Sequence, residues 1–373
     1  MSQSNQFESR CPHCLGADNH YPCQRCKLVF YCNEEHRASH LLAHMSVCSA
    51  VCRERTKYEV VKSQLPFAPE SPSGDSIDHD TILGNHVYDV NSYIEARINY
   101  ARVLESLHSR QAAEKRIKLL RKALIMLPDN KHVNACLKPL LGLMFRLKSD
   151  EEIYKFMRQY LGVLVVKYKQ PQDRIRDYNK LNALSDIELV RATPCSQILR
   201  VAFVILKLRV IAQLQDMPQI VGKKTRIVPK ELKDKAHFGF FNALATAEDD
   251  RYTMSEASCS RLIERLIQQV RILFFAVHEY NHQVWDYLMA KDNPANMFES
   301  QENSTSHTTA AMIRIQLREP FEKTPGAEQL VDRFLGEVFL AECQRTTPEI
   351  KVEPDMWEEV RLDDIPMAKH ESD

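Results

Sequence analysis

Eight cysteine and histidine side chains crowd into residues 11–48, in the order Cys11-x2-Cys14-x8-Cys23-x2-Cys26-x5-Cys32-x3-His36-x7-His44-x3-Cys48. Thiolate and imidazole are the ligands of structural zinc, which takes four of them tetrahedrally and leaves no open position. Eight ligands therefore suit two closed sites and two zinc ions. A unit this small cannot build an adequate apolar core, so metal binding would supply its folding energy. Six of the eleven cysteines belong to this cluster, whereas Cys52, Cys136, Cys195, Cys259 and Cys343 are scattered and read as small buried apolar residues. Such a cluster in a chain without an export signal reads as metal ligands rather than disulfides.

A second stretch, "FFAVHEYNHQVW", contains His278-Glu279-x-x-His282. On a helix this HExxH pattern puts both histidines on one face for a catalytic zinc, with the glutamate as general base. The helical periodicity around it is good, and Glu299 or Glu302 would be the third ligand. Against a zinc hydrolase stand the absence of a substrate-binding sheet upstream and of an HxxGxxH continuation. The preferred reading makes these histidines ordinary polar or packing residues, with no catalytic residues in the chain.

The spacing of the first cluster resembles the MYND-type zinc finger. "CKLVFYC" (26–32) is similar to that family's central segment, and His44-x3-Cys48 to its closing pair. The resemblance implies interleaved ligands: Cys11, Cys14, Cys32 and His36 for one zinc, and Cys23, Cys26, His44 and Cys48 for the other. His36 stands where the family usually has cysteine. Imidazole is an ordinary zinc ligand, so the site is expected to be intact, less anionic and more acid-labile. His40, one turn further along, is the competing ligand, but only His36 keeps the x3 and x7 spacings. His13 and His20 read as exposed polar residues.

The resemblance also implies a protein-interaction adaptor, often for proline-rich peptides. The family's peptide groove commonly uses Gln and Trp at positions that hold Arg37 and Leu41 here, so an aromatic anchor is missing where binding energy tends to concentrate. The helical remainder is similar to that of uncharacterised fungal MYND proteins, through "GLMFRLKSDEEIYKF", "FVILKLRVIAQLQ" and "TPGAEQLV". No methyltransferase signature of the kind found in MYND-bearing lysine methyltransferases follows the finger.

The elements behind the cluster are helical. Ile117, Leu120, Leu124 and Leu127 form one helix face, and Ile153, Phe156, Tyr160, Leu161 and Leu164 another, with Ser149-Asp150 as a helix start. A short polar helix fits 47–62. Further helices fit 92–108, 131–147, 196–215, 230–248, 255–290, 308–318 and 327–344. The expected fold class is mainly α: a small two-zinc cross-braced finger at 10–49, then an irregular α-helical, tetratricopeptide-like scaffold over 90–345. Residues 64–81 have linker composition, 299–307 read as an exposed loop, and 346–373 as an acidic tail.

Composition narrows the function. Lys+Arg and Asp+Glu both number 50, and residues 1–50 hold four of each sign, which lacks the basic excess of a nucleic-acid module. The basic "GKKTR" at 222–226 is a feeble nuclear-import signal. Glycines number only 9, without the clusters that phosphate-cradling loops need, so no nucleotide or other small-molecule cofactor is expected. "ILRVAFVILKLRVIAQL" is interrupted by Lys207 and Arg209 and reads as a buried helix rather than a membrane span. The expected protein is intracellular, in cytoplasm or nucleus, and binds protein partners through its finger in transcriptional or ubiquitin-linked assemblies. The alternatives are the zinc hydrolase at 278–282 and a regulator that contacts DNA directly.

Overall fold

The computed structural model describes residues 11–16, 21–64, 87–126, 133–167, 190, 196–221, 256–291 and 305–346. Among them the chain is mostly helical, and it divides into two compact units, Met1–Leu143 and Met144–Asp373. The expected helix at 230–248, Leu127, Cys195, the basic loop, nearly all of the linker and all of the tail beyond Thr346 lie outside the described residues.

The first unit starts with a two-stranded antiparallel hairpin, β1 (Tyr21–Pro22) and β2 (Phe30–Tyr31), with Tyr21 opposite Tyr31. Helix α1 (Glu34–Gln64) follows, 31 residues long and far longer than the polar helix expected at 47–62. Its start has a clear local cause: the Asn33 side chain accepts the His36 N–H at 2.8 Å, and Glu34 and Glu35 complement the helix dipole. One stripe of α1 carries His44, Cys48, Val51 and Tyr58, all buried, at helical spacing. The ligand face of the cluster thus runs on into the helical seam, where the buried Glu54 between Val51 and Tyr58 pairs with Arg53 and Lys57.

That seam packs on α2 (Val87–Val103). Tyr58 stacks on Tyr93 and Tyr100, with ring centroids 5.6 and 5.9 Å apart. The buried Arg97 lies over the Tyr58 and Tyr93 rings and donates to the Tyr93 hydroxyl at 2.6 Å. A buried guanidinium needs such compensation: two π faces and a hydroxyl replace part of its water. A 3₁₀ turn at Leu104–Ser106 leads into α3 (Arg110–Met126), whose expected face at Ile117, Leu120 and Leu124 is buried. Helix α4 (Val133–Leu147) spans the division between the units.

The second unit holds α5 (Asp150–Lys167), α6 (Gln197–Val221), α7 (Glu256–His278), α8 (Gln283–Met289), α9 (Thr305–Glu322) and α10 (Ala327–Thr346). Ser149 caps α5 reciprocally with Glu152: the Glu152 N–H donates to the serine hydroxyl at 3.3 Å, and the Ser149 N–H donates to the carboxylate at 3.4 Å. The core centres on α6 against α7. Helix α6 is buried on nearly all sides over Gln197–Leu214, and two of its charged residues, Lys207 and Arg209, find partners within the unit. Lys207 Nζ donates to Gln269 Oε1 at 2.6 Å, and Arg209 pairs with Asp150 at 2.5 Å. Among the described residues no helix is long and apolar enough to cross a membrane.

Two expectations fail in this unit. The helix expected over 255–290 breaks after His278 and resumes at Gln283. The chain reverses so that Trp285 stacks on Phe274 at 4.8 Å and donates to its carbonyl at 3.3 Å. Buried Asn281 stabilises the break, accepting the Gln283 N–H at 3.2 Å and donating to the Ser306 carbonyl at 2.9 Å. The loop expected at 299–307 is already helix from Thr305, and His307 there meets the Tyr287 hydroxyl at 3.1 Å. Residues 299–304, with both candidate glutamates, lie outside the described residues.

Candidate metal centre

The eight ligand candidates fall into two groups of four: Cys11, Cys14, Cys32 and His36, and Cys23, Cys26, His44 and Cys48. Within each group the ligand atoms all lie within 4.8 Å of one another. Each CxxC knuckle supplies two sulfurs; Cys32, just after β2, and His36 of α1 complete the first group, and His44 and Cys48 of α1 complete the second. Histidine presents a different nitrogen in each: His36 Nδ1 lies 2.7 Å from Cys32 Sγ and 3.8 Å from Cys11 Sγ, whereas His44 Nε2 lies 3.4 Å from Cys26 Sγ.

The spacing suits a tetrahedral ion. With Zn–S near 2.3 Å, sulfurs sharing a zinc sit about 3.8 Å apart. Cys23 and Cys48 are 3.7 Å apart, and Cys14 and Cys32 are 3.3 Å apart. Among the described residues each group consists of three sulfurs and one imidazole, so the two Cys3His groups fit two structural zinc ions.

Electrostatics point the same way. Burial opposes ionisation of Cys11, but the backbone N–H groups of Cys14, Cys32 and His13 outweigh it and bring the thiol down to about 6. Desolvation and the neighbouring Cys14 and Cys11 side chains push Cys32 up to about 11. In the second group burial and the backbone N–H groups of Cys26 and Arg25 compete at Cys23, and its thiol is lowered. Burial raises Cys26, and burial with the charges of Cys26 and Cys23 pushes Cys48 up to about 12. Each group without metal thus favours one early thiolate and resists the next. A dication removes that repulsion and expels the remaining protons.

The competing ligand, His40, belongs to neither group; its Nδ1 lies 3.1 Å from the buried Tyr31 hydroxyl. His13 is exposed, with its ring tilted 36° against that of His36 and centroids 4.5 Å apart, and His20 lies outside the described residues. Arg37 pairs with Glu34 on the same helix, and Leu41 is half exposed. At the HExxH stretch, His278 ends α7 and His282 precedes α8, so no single helical face carries both. Their ring centroids are 6.2 Å apart, with Glu279 and His282 exposed. Among the described residues the finger contains both groups placed to hold a metal.

The reading from sequence missed the residues around the ligands. Arg55 of α1 donates to the Arg25 carbonyl at 3.0 Å and the Cys26 carbonyl at 3.4 Å. Ser109, at the start of α3, donates to the Leu28 carbonyl at 2.6 Å. Asn33-Glu34-Glu35 was a legible helix start, but the partnership of Ser109 with Leu28 has no local signal.

The model of the MYND finger matches residues 11–48. Those residues are a MYND finger. MYND fingers are zinc-binding protein–protein interaction modules rather than catalytic domains. Comparison of the whole chain with curated proteins and with solved structures returned no match.

Proposed function

We propose that the chain is an intracellular adaptor whose finger, folded by two zinc ions, holds a protein partner in transcriptional or ubiquitin-linked assemblies. Cys11, Cys14, Cys32 and His36 take one ion, and Cys23, Cys26, His44 and Cys48 the other. The helical region over 90–345 serves as the scaffold behind the finger. The observation that carries this reading is the make-up of both groups: among the described residues each has four donors, the complement of a structural zinc site rather than of a catalytic one. An interaction role is further supported by the outer face of α1, where Leu41, Leu42 and Met45 are 50 %, 79 % and 47 % exposed at helical spacing.

Two measurements test the reading. Metal analysis of the full chain is expected to give two zinc ions. Affinity capture is expected to lose partners with Cys23→Ala and with Leu42→Asp, the latter keeping both ions. Two zinc ions with a capture profile unchanged by either substitution would remove the finger from partner binding. A third ion lost with His278→Ala would instead favour the hydrolase.

A further inference from the structure

The two CxxC knuckles share one turn. Leu15 and Lys27, each following the second cysteine, have φ of 60° and 59°, and their N–H groups donate to the carbonyls of Cys11 and Cys23 at 2.8 and 2.9 Å. A left-handed conformation at a non-glycine residue persists only where its surroundings hold it. The second knuckle is closed internally by the Cys23 N–H to the Val29 carbonyl at 2.8 Å, and it also receives donors from outside. Arg55 binds the carbonyls of Arg25 and Cys26, and Ser109 binds that of Leu28.

These carbonyls are the far ends of peptide groups that serve the metal site. The Arg25 carbonyl shares its peptide with the Cys26 N–H, which bonds to Cys23. The Leu28 carbonyl shares its peptide with the Val29 N–H, which bonds to Cys26. A donor at the carbonyl end fixes the peptide plane and polarises it, which strengthens the N–H at the other end. Outer-shell hydrogen bonds of this kind orient ligands and tune metal affinity.

We infer that Arg55 and Ser109 are positioning residues of the second zinc site, acting through the knuckle peptides on the sulfurs of Cys23 and Cys26. Ser109 lies 81 residues beyond Leu28, and its hydroxyl also accepts the Ala112 N–H at 3.2 Å as the cap of α3. The second site is therefore completed by a residue outside the finger. This inference rests on the zinc assignment proposed above.

The test follows zinc release from the zinc-loaded full chain into excess chelator, read with a colorimetric zinc indicator. The unsubstituted chain is expected to release two ions in two phases, and Cys14→Ala, which lacks a first-site ligand, identifies the phase of the second site. Ser109→Asp keeps a cap acceptor for α3 but has no hydrogen to donate to Leu28. It and Arg55→Ala are expected to speed second-site release about tenfold or more and leave the first-site phase unchanged. Ser109→Thr retains the donor and should release zinc at the original rate. Glu114→Ala, which breaks an exposed pair with Arg110 on α3, should do the same. Unchanged second-site release in both Ser109→Asp and Arg55→Ala, or equal acceleration of both phases, would overturn the inference while leaving two zinc ions per chain in place. Fewer than two zinc ions in the unsubstituted chain would overturn the metal assignment itself.

Discussion

The two metal groups of the finger have the same donors and different surroundings. In the first, Cys11 is fully buried, but Cys14 is exposed and Cys32 and His36 are half-buried. In the second, Cys23, Cys26, His44 and Cys48 are all at most 5 % exposed. The second group also sits where α1 passes from finger to helical seam, above Val51 and the Tyr58–Tyr93–Arg97 cluster. Equal ligand sets thus give an outer, partly exposed site and an inner, fully buried one. Coordination chemistry follows from the ligands, whereas stability depends on what packs behind them.

The sharpest way to break this contrast is to remove one ligand from each group. Cys26→Ala is expected to cost on the order of 5 kcal/mol or more and to abolish cooperative melting of the first unit, because inner-site binding energy is also folding energy there. Cys14→Ala should lose one zinc ion and leave the helical melt nearly unchanged. Circular dichroism with metal analysis distinguishes the two, and equal damage from both would erase the contrast.

A smaller effect is expected one layer back from the inner site. Tyr58→Ala should destabilise the first unit by about 3–5 kcal/mol, the range for deleting a buried aromatic ring. Tyr58→Phe, which keeps the stacking on Tyr93 and Tyr100 and loses only the hydroxyl contact at 3.3 Å, should cost about 0.5–1.5 kcal/mol. Denaturant melts give both numbers, and a Tyr58→Ala chain as stable as the parent would show that the seam does not support the finger.

Acid sharpens the comparison further. Cys32 at about 11 and Cys48 at about 12 are protonated near neutrality without metal, while Cys11, at about 6, is largely thiolate. Zinc must displace those protons, so affinity at both sites rises with pH and is lost as pH falls. The first site's imidazole and sulfurs are the more accessible to solvent, and it should empty first on acidification. Zinc retained after equilibration down a pH series checks the order. The smallest expected effect is that of Leu42→Asp on stability, within about 0.5 kcal/mol for so exposed a position.

The two groups of four that the structure brings together were legible in the sequence because zinc chemistry restricts both residue type and spacing. His36 over His40 followed from the x3 and x7 intervals. The faces of α3 and α5 were legible because burial on one side leaves a period of 3.6. The full length of α1 was harder to read, since its first turns bury ligands rather than an apolar stripe, and Asn33 was the only sharp signal of its start. The break at Glu279 was hidden by a helical pattern continuing through it. Its cause, Trp285 folding back on Phe274 with Asn281 bonded across to Ser306, is tertiary. The same holds for Ser109, whose partner is Leu28, and for Arg209, whose partner is Asp150.

The most direct test of the contrast is chelator titration of the zinc-loaded full chain with zinc release and helical circular dichroism recorded together. The expected result is loss of the first ion with little change in helical signal, followed by loss of the second together with melting of the first unit's helices. Release of both ions in a single step, or helix melting with the first ion, would contradict it.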